Sequence, residues 1–120
     1  LDSVGVGVLG GKLYAIGGAS RSGSDTHAAS SVEAYDPADG QWTAVASMST
    51  ARLYHGVGVL GGKLYAIGGA DYYGYLYRSS VEAYDPANNQ WTAIANLSRL
   101  GALRISHLQS PAATAGSPHR

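Results

Sequence analysis

The chain contains two copies of one sequence unit of about 50 residues, and this internal repeat limits its fold more than any other feature. The segment GVGVLGGKLYAIGGA occurs unchanged at 5–19 and 56–70, SSVEAYDPA at 30–38 and 79–87, and QWTA at 41–44 and 90–93. A repeat of this length indicates an array of structural units, each of which buries its faces against its neighbours.

Each copy divides into four strand signals separated by turns. The predicted strands are 4–9, 12–16, 31–35 and 41–46 in the first copy, and 55–60, 63–67, 80–84 and 90–95 in the second. A Gly-Gly pair joins the first two strands, and an Asp-Pro turn joins the last two. Four short antiparallel strands per repeat are typical of a propeller blade, so the sequence predicts an all-β chain.

The first strand of each copy alternates glycine and valine. Gly5 and Gly7 share one face of the strand, whereas Val6 and Val8 share the other. A face made only of glycine predicts that another backbone approaches it closely, as expected for the crowded strand nearest a propeller axis.

A double glycine ends each second strand, and a Tyr and a Trp follow seven residues apart. In this arrangement residues 4–98 resemble the kelch repeat. The resemblance implies that the aromatic residues pack between blades and that the glycines permit a tight backbone course. The residues expected to be structural are Gly17, Gly18, Tyr35, Trp42, Gly68, Gly69, Tyr84 and Trp91.

The predicted architecture is therefore two four-stranded antiparallel kelch blades of an incomplete β-propeller. Blade 1 is assigned to residues 1–49 and blade 2 to 50–98. The repeat stops after Ser98, and residues 99–120 form a non-kelch C-terminal tail that is low in apolar residues near its end and is expected to be disordered.

Composition argues against several functional classes. Charged residues make up 13% of the chain and the formal net charge is zero, so the basic excess that nucleic acids or anionic membranes require is missing. Cysteine is absent, the four histidines lack metal-ligand spacing, and no nucleophile elbow or phosphate loop is present. We therefore expect no catalytic residues, metal or cofactor, and no enzyme activity. A cytoplasmic location is expected, because no signal peptide or cysteine is present, although the chain does not begin with Met.

The loops between the second and third strands differ between the two otherwise identical scaffolds, and such variable positions are where recognition is built. The second loop carries Tyr72, Tyr73, Tyr75 and Tyr77 beside Arg78. Tyr and Arg are enriched in binding hot spots, so we interpret this loop as a partner-binding surface. The alternative is that the tyrosines pack on the next blade.

Arginines extend this hypothesis to an acidic ligand. Arg52 precedes the inner strand of blade 2, and the kelch resemblance implies that arginines at this place contact acidic peptides. Arg21 and Arg78 lie on the adjoining loops, and guanidinium groups pair with carboxylates in a bidentate manner. The alternative is that these arginines are solvated charges or ties between blades. Glu33 and Glu82, which are equivalent in the repeat, are expected to cap backbone groups rather than to catalyse a reaction.

The sequence thus predicts a module that binds a protein or peptide. The resemblance suggests a ubiquitin-ligase substrate adaptor or an actin-associated protein as its setting. The rival interpretations are a blade pair from a secreted galactose-oxidase-like enzyme, whose cross-linked cysteine this chain lacks, and a truncated product without independent function.

Two blades leave two apolar faces uncovered, and about three repeats are usually needed for stability. We therefore expect the isolated chain to be either marginally folded or self-associated, for example as three copies that complete a six-bladed ring.

Overall fold

The computed structural model describes residues 3–22, 25–71 and 78–98. Blade 1 is a four-stranded antiparallel sheet in the order β1-β2-β5-β6, formed by β1 (Gly5–Leu9), β2 (Lys12–Ile16), β5 (Val32–Asp36) and β6 (Gln41–Val45). Blade 2 repeats this order with β7 (Gly56–Leu60), β8 (Lys63–Ile67), β9 (Val81–Asp85) and β10 (Gln90–Ile94). The predicted all-β fold with two four-stranded blades is confirmed.

The strand register is the same in both blades, because the same turns set it. Gly5 pairs with Ile16 in blade 1, as Gly56 pairs with Ile67 in blade 2. Both glycines of each Gly-Gly turn have a positive φ, which suits the twist of a two-residue hairpin. None of the described segments is a helix long and apolar enough to span a membrane.

Part of the first variable loop is a hairpin rather than irregular chain. Strands β3 (Ala19–Ser22) and β4 (Asp25–Ala28) follow β2 and precede β5 in the chain, and they pair with each other in an antiparallel arrangement. The small and polar residues of this segment have low intrinsic strand preference, so the sequence predicted only a loop. Tertiary pairing overrides that preference, since the backbone N–H of Ala28 also donates to the carbonyl of Asp71 in blade 2.

The core lies between the two blades. Its buried members are Tyr14, Ile16, Val32 and Ala34 from blade 1, Met48 from the segment that follows blade 1, and Leu64, Ala66 and Tyr84 from blade 2. The rings of Tyr14 and Tyr84 meet across the interface with centroids 5.9 Å apart. Sheet-on-sheet packing therefore supplies the apolar burial that neither blade has alone.

The glycine face of β1 accommodates side chains of blade 2, not a second backbone as the sequence suggested. A Cβ placed on Gly5 would lie 2.5 Å from Val57 Cγ2, and one on Gly7 would lie 2.8 Å from Leu64 Cδ2. Both distances are below van der Waals contact, so only glycine lets the two inner strands come this close.

Identical residues of the two repeats differ in burial because, in the part of the chain that the structure describes, only one side of each blade packs against another blade. Tyr84 is buried and Trp91 half-buried between the blades, whereas the matching Tyr35 is half-buried and Trp42 remains 47% exposed. Each Trp contacts the Tyr of its own blade with ring centroids 5.2 Å apart. Trp91 additionally donates its indole N–H to the carbonyl of Ala46, 2.9 Å away in the segment that follows β6.

Because Trp91 is more buried than Trp42, replacing each by alanine is expected to lower the unfolding free energy by different amounts. Trp91→Ala is expected to lower the unfolding free energy by about 3 kcal/mol, at the low end for a large aromatic because Trp91 is only half-buried. Trp42→Ala, which removes an exposed ring tilted against that of Tyr35, is expected to cost about 1 kcal/mol. Urea titrations followed by far-UV circular dichroism would measure both. Equal costs would contradict this placement of the blades.

Candidate partner-binding site

Three segments of the chain meet at one end of the two blades, which we call the loop face. They are the hairpin β3–β4, the linker 48–54 between the blades, and the described ends of the second variable loop, Asp71 and Arg78. The Gly-Gly turns of both blades lie at the opposite end, because each strand runs from one end to the other. The loop face is therefore where the non-repeated residues gather.

The linker crosses the loop face by hydrogen-bonding to both blades. The backbone of Arg52 donates to the carbonyl of Ala29 at 3.0 Å and accepts from the N–H of Gly18 at 2.8 Å. Leu53 pairs in the same way with Ala70 of blade 2, at 3.0 and 2.8 Å. This course explains the second double glycine: Gly69 has φ 97°, and a Cβ there would lie 2.7 Å from the carbonyl oxygen of Leu53.

The side chain of Arg52 turns away from the loop face into blade 2. It is 1% exposed, and its Nη1 donates to the carbonyls of Gly68 and Ser80 at 2.9 and 2.8 Å. Its Nη2 donates to Ser80 Oγ at 3.0 Å and to Glu82 Oε2 at 3.1 Å. Burial lowers the pKa of Arg52, and the hydrogen bond that Arg52 donates to Glu82 partly offsets that effect. These surroundings are those of a tie between blades, the alternative that the sequence left open for this residue, and not those of a ligand contact.

Glu82 completes the same network from β9. Its Oε1 accepts from the backbone N–H of Ser49 at 2.9 Å and from Ser49 Oγ at 3.0 Å, so it caps a backbone group of the linker. The matching Glu33 of blade 1 is exposed, because the equivalent linker would have to come from a preceding blade. The expectation of a capping role therefore describes Glu82 in this structure.

Arg78 is the described arginine whose side chain remains at the loop face. It is half-buried and forms an ion pair with Asp71. Its backbone N–H donates to the carbonyl of Gly69 at 2.7 Å. Asp71 thus orients a guanidinium group that remains partly exposed at the loop face.

Tyr54, two residues after Arg52 in the linker, was not among the residues predicted for this face. It is half-buried, packs against the small cluster of Ala19, Leu53 and Ala70, and has a positive φ of 54°. Ser3, one repeat earlier, has a φ of 57°. This conformation is uncommon for residues other than glycine, so its recurrence before both inner strands marks a constrained position at the loop face. The sequence signal for it was weak, because the two residues differ in chemistry.

Several predicted contact residues lie outside what the structure describes. Residues 72–77, with Tyr72, Tyr73, Tyr75 and Tyr77, are not among the described residues. Arg21 lies on β3, paired with Thr26, but its side chain is not described. The tail 99–120 also lies outside the described residues. Among residues 3–22, 25–71 and 78–98, no group of three His, Asp or Glu side chains is arranged to hold a metal ion.

His55 is buried at the seam between the blades, next to the first residues of β1 and β7. Neither ring nitrogen meets the geometry of a hydrogen bond. Burial lowers the pKa of His55 to about 4, and the nearby Arg52 charge adds to this effect, while the backbone of Ile16 opposes it. The imidazole is therefore neutral at pH 7.

These strands, turns and seams define a pair of β-propeller blades. The kelch motif matches the chain twice, at residues 3–49 and 51–98, and the chain belongs to the kelch-motif family. A solved structure of YjhT shares the fold with a TM-score of 0.71 at 19% sequence identity, over 82% of this chain and 38% of that one.

Similar curated proteins carry kelch names. The chain is 42% identical over 69 residues to Kelch-like ECH-associated protein 1A of Danio rerio, which covers 58% of this chain and 12% of that protein. It is 44% identical over 66 residues to an F-box/kelch-repeat protein of Arabidopsis thaliana, covering 55% and 13%, and 60% identical over 45 residues to Kelch-like protein 5 of Homo sapiens, covering 38% and 6%. The matches thus span about an eighth or less of these relatives' lengths. Kelch repeats and kelch-like relatives support a role as a protein-interaction propeller module.

Proposed function

We propose that the chain is a protein-binding module, not an enzyme, whose loop face takes an acidic segment of a protein or peptide. The observation that carries the proposal is Arg78. Asp71 orients its guanidinium group at the loop face, where the Arg78 side chain remains 32% exposed. A carboxylate is the ligand group that a guanidinium fits best.

The contacts we propose are Arg78 with Tyr72, Tyr73, Tyr75 and Tyr77, joined by Arg21 on the hairpin β3–β4. The contribution of the tyrosines rests on the sequence, since a tyrosine-rich loop beside an arginine is typical of binding hot spots. Arg52 acts indirectly, because its backbone and side chain hold the linker between the two variable loops. A ubiquitin-ligase substrate adaptor or an actin-associated protein is the setting that the kelch relationship suggests for such a module.

We also propose that the chain self-associates. Both blades have an uncovered face with exposed apolar residues, among them Val6 and Val8 on blade 1 and Leu60 on blade 2. Apolar surface of this kind is stabilised by association.

A matched peptide library would test the partner proposal. Each acidic peptide is paired with a version in which every Glu and Asp is replaced by Gln and Asn, and binding is measured by fluorescence polarisation. We expect acidic members to bind and their amidated versions to bind at least tenfold more weakly. Arg78→Gln and the double variant Tyr73→Ala/Tyr75→Ala are each expected to weaken binding by tenfold or more, the effect of losing hot-spot residues.

Lys63→Gln is the control, because it also removes one positive charge but lies at the opposite end of blade 2, beside the Gly-Gly turn. Circular dichroism establishes that every variant is folded. If Lys63→Gln weakened binding as much as Arg78→Gln, the loop face would not be the site. Equal binding of acidic and amidated peptides would refute the acidic specificity.

A further inference from the structure

The two faces of each blade differ, and one face of each is used in the seam between the blades. Blade 1 contributes its glycine face, which we define by Gly5, Gly7, Tyr14, Ile16 and Val32. Blade 2 contributes its valine face, defined by Val57, Leu64, Ala66, Glu82 and Tyr84. Val57 and Leu64 fill the space that side chains at Gly5 and Gly7 would take, and Tyr84 packs on Tyr14.

The repeat provides a second copy of each face, and within the described residues no other blade packs against it. The glycine face of blade 2 consists of Gly56, Gly58, Tyr65, Ile67 and Val81, which are the same residue types as in blade 1. The valine face of blade 1 consists of Val6, Leu13, Ala15, Glu33 and Tyr35, again the same types as in blade 2. Val6 is 54% exposed, and its neighbour Val8 is 64% exposed.

The uncovered glycine face forms an open apolar groove of about 550 Å³, lined by Gly58, Leu60, Tyr65, Ile67, Val81 and Ile94 among others. A Cβ placed on Gly58 would have no heavy atom within 4 Å, whereas one on the matching Gly7 would meet Leu64. The groove therefore lies on the face of blade 2 that corresponds to the blade 1 face packed against blade 2.

We propose that a second copy of this chain occupies the groove by placing the valine face of its blade 1 on the glycine face of blade 2. The inference rests on the self-association proposed above and specifies its geometry. Val6 and Leu13 of the second copy take the places that Val57 and Leu64 have in the seam within one chain. Because the two contacting faces differ, the contact is heterologous, and it either closes into a ring or continues as an open array.

The seam between copies lacks two polar ties of the seam within a chain. Asn89 accepts from the backbone N–H of Ala46 at 2.9 Å and from the Tyr84 hydroxyl at 2.8 Å, but residue 40, one repeat earlier, is glycine. One repeat after Arg52 the chain also has glycine, at position 101. Glu33 on the valine face of blade 1 then lacks the arginine partner that Glu82 has, so the contact between copies is expected to be weaker than the seam within a chain.

Two variants test the geometry by blocking one face each. Gly58→Val fills the groove at a position where φ is negative and the chain itself leaves space, so the fold is expected to tolerate it. Val6→Glu places a charge on the valine face at an exposed position. Size-exclusion chromatography with light scattering is expected to show concentration-dependent oligomers for the wild type and monomers of 12.3 kDa for each variant alone.

Mixing the two variants is the decisive step. An equimolar mixture is expected to form a one-to-one heterodimer, because the open glycine face of Val6→Glu accepts the intact valine face of Gly58→Val. That dimer cannot extend, since both remaining faces are blocked. A Val6→Glu variant that still self-associates alone, with no gain on mixing, would indicate a symmetric contact and overturn the proposal. A wild type that is strictly monomeric at several hundred micromolar would do the same.

The control for the groove is Gly7→Val, the same change at the matching position of blade 1. It is expected to lower the midpoint of urea unfolding, because the new side chain meets Leu64 within the chain. Peptide binding separates this inference from the partner proposal. Gly58→Val is expected to keep the affinity for acidic peptides, and Tyr73→Ala/Tyr75→Ala is expected to keep the self-association.

Discussion

Arg52→Leu is expected to lower the unfolding free energy by about 3–5 kcal/mol, the usual cost of removing one partner from a buried ion pair. The change leaves the carboxylate of Glu82 buried without its counter-charge, and it deprives the carbonyls of Gly68 and Ser80 of their donors. Such a loss is comparable to the whole stability of a small domain, so the variant is expected to be largely unfolded at 25 °C. Circular dichroism and urea titration, with trimethylamine oxide added to restore a measurable folded population, would determine the cost.

Glu82→Gln and Glu33→Gln form a matched pair, because the two glutamates are equivalent in the repeat. Glu82 accepts from Arg52 and Ser49, whereas Glu33 is exposed. We expect Glu82→Gln to cost several times more than Glu33→Gln, which should lie within about 0.5 kcal/mol of the wild type as an ordinary surface change. In the double variant Arg52→Leu/Glu82→Leu the cost should be smaller than the sum of the single costs, since no unpaired charge remains. Arg52→Leu within 1 kcal/mol of the wild type would show that this network does not hold the blades together.

Acidification is expected to destabilise the chain by protonating His55. The pKa of His55 is lowered from its ordinary value of 6.5 to about 4 in the folded chain, so the unfolded chain binds the proton more readily. The stabilising effect of the neutral imidazole is complete above pH 6.5 and is lost as the pH falls towards 4. The full loss corresponds to about 3 kcal/mol, of which about 2 kcal/mol falls between pH 7 and 5.

The physical cause is the position of the ring at the seam. Protonation would place a cation beside the Arg52 guanidinium, whose carboxylate partner, Glu82, is already engaged. The backbone of Ile16 only partly offsets these unfavourable effects on the charged form. Protonation of His55 is therefore expected to destabilise the contact between the blades rather than either sheet.

The first repeat suggests the variant that tests this effect, since Val4 occupies the position equivalent to His55. His55→Val is expected to abolish most of the pH dependence between pH 7 and 5, where carboxylates contribute little. Unfolding free energies measured in urea at half-unit pH steps would give the slope, expected to approach about 1.4 kcal/mol per pH unit in the wild type below pH 6. Equal slopes for both proteins would show that another group is responsible.

The sequence predicted the strands well, because their cues are local. The Gly-Gly turns set the register of the first two strands, and the Asp-Pro turns set that of the last two, so the limits of β2, β8 and their partners followed within a residue or two. The hairpin β3–β4 was not predicted, since its pairing depends on contacts with Asp71 of blade 2. The partner contacts of the candidate site stay predictions: Arg78 lies at the loop face, whereas Arg52, which looks equivalent to it in the sequence, is buried.

The sequence by itself determined that the chain forms two equivalent blades, each with a glycine face and a valine face on its first strand. Only the tertiary structure showed that the valine face of one blade packs on the glycine face of the other. The sequence did not determine which copy of a repeated residue would be buried. Glu82 is 1% exposed and Glu33 lies in solvent, although both occupy the same position in the segment SSVEAYDPA. The two residues have the same local sequence, so the difference arises only from the blade and the linker packed against one of them. The tertiary structure therefore decided which glutamate is buried and paired, and that Arg52 is buried. Each of these outcomes depends on a neighbour that is distant in the chain.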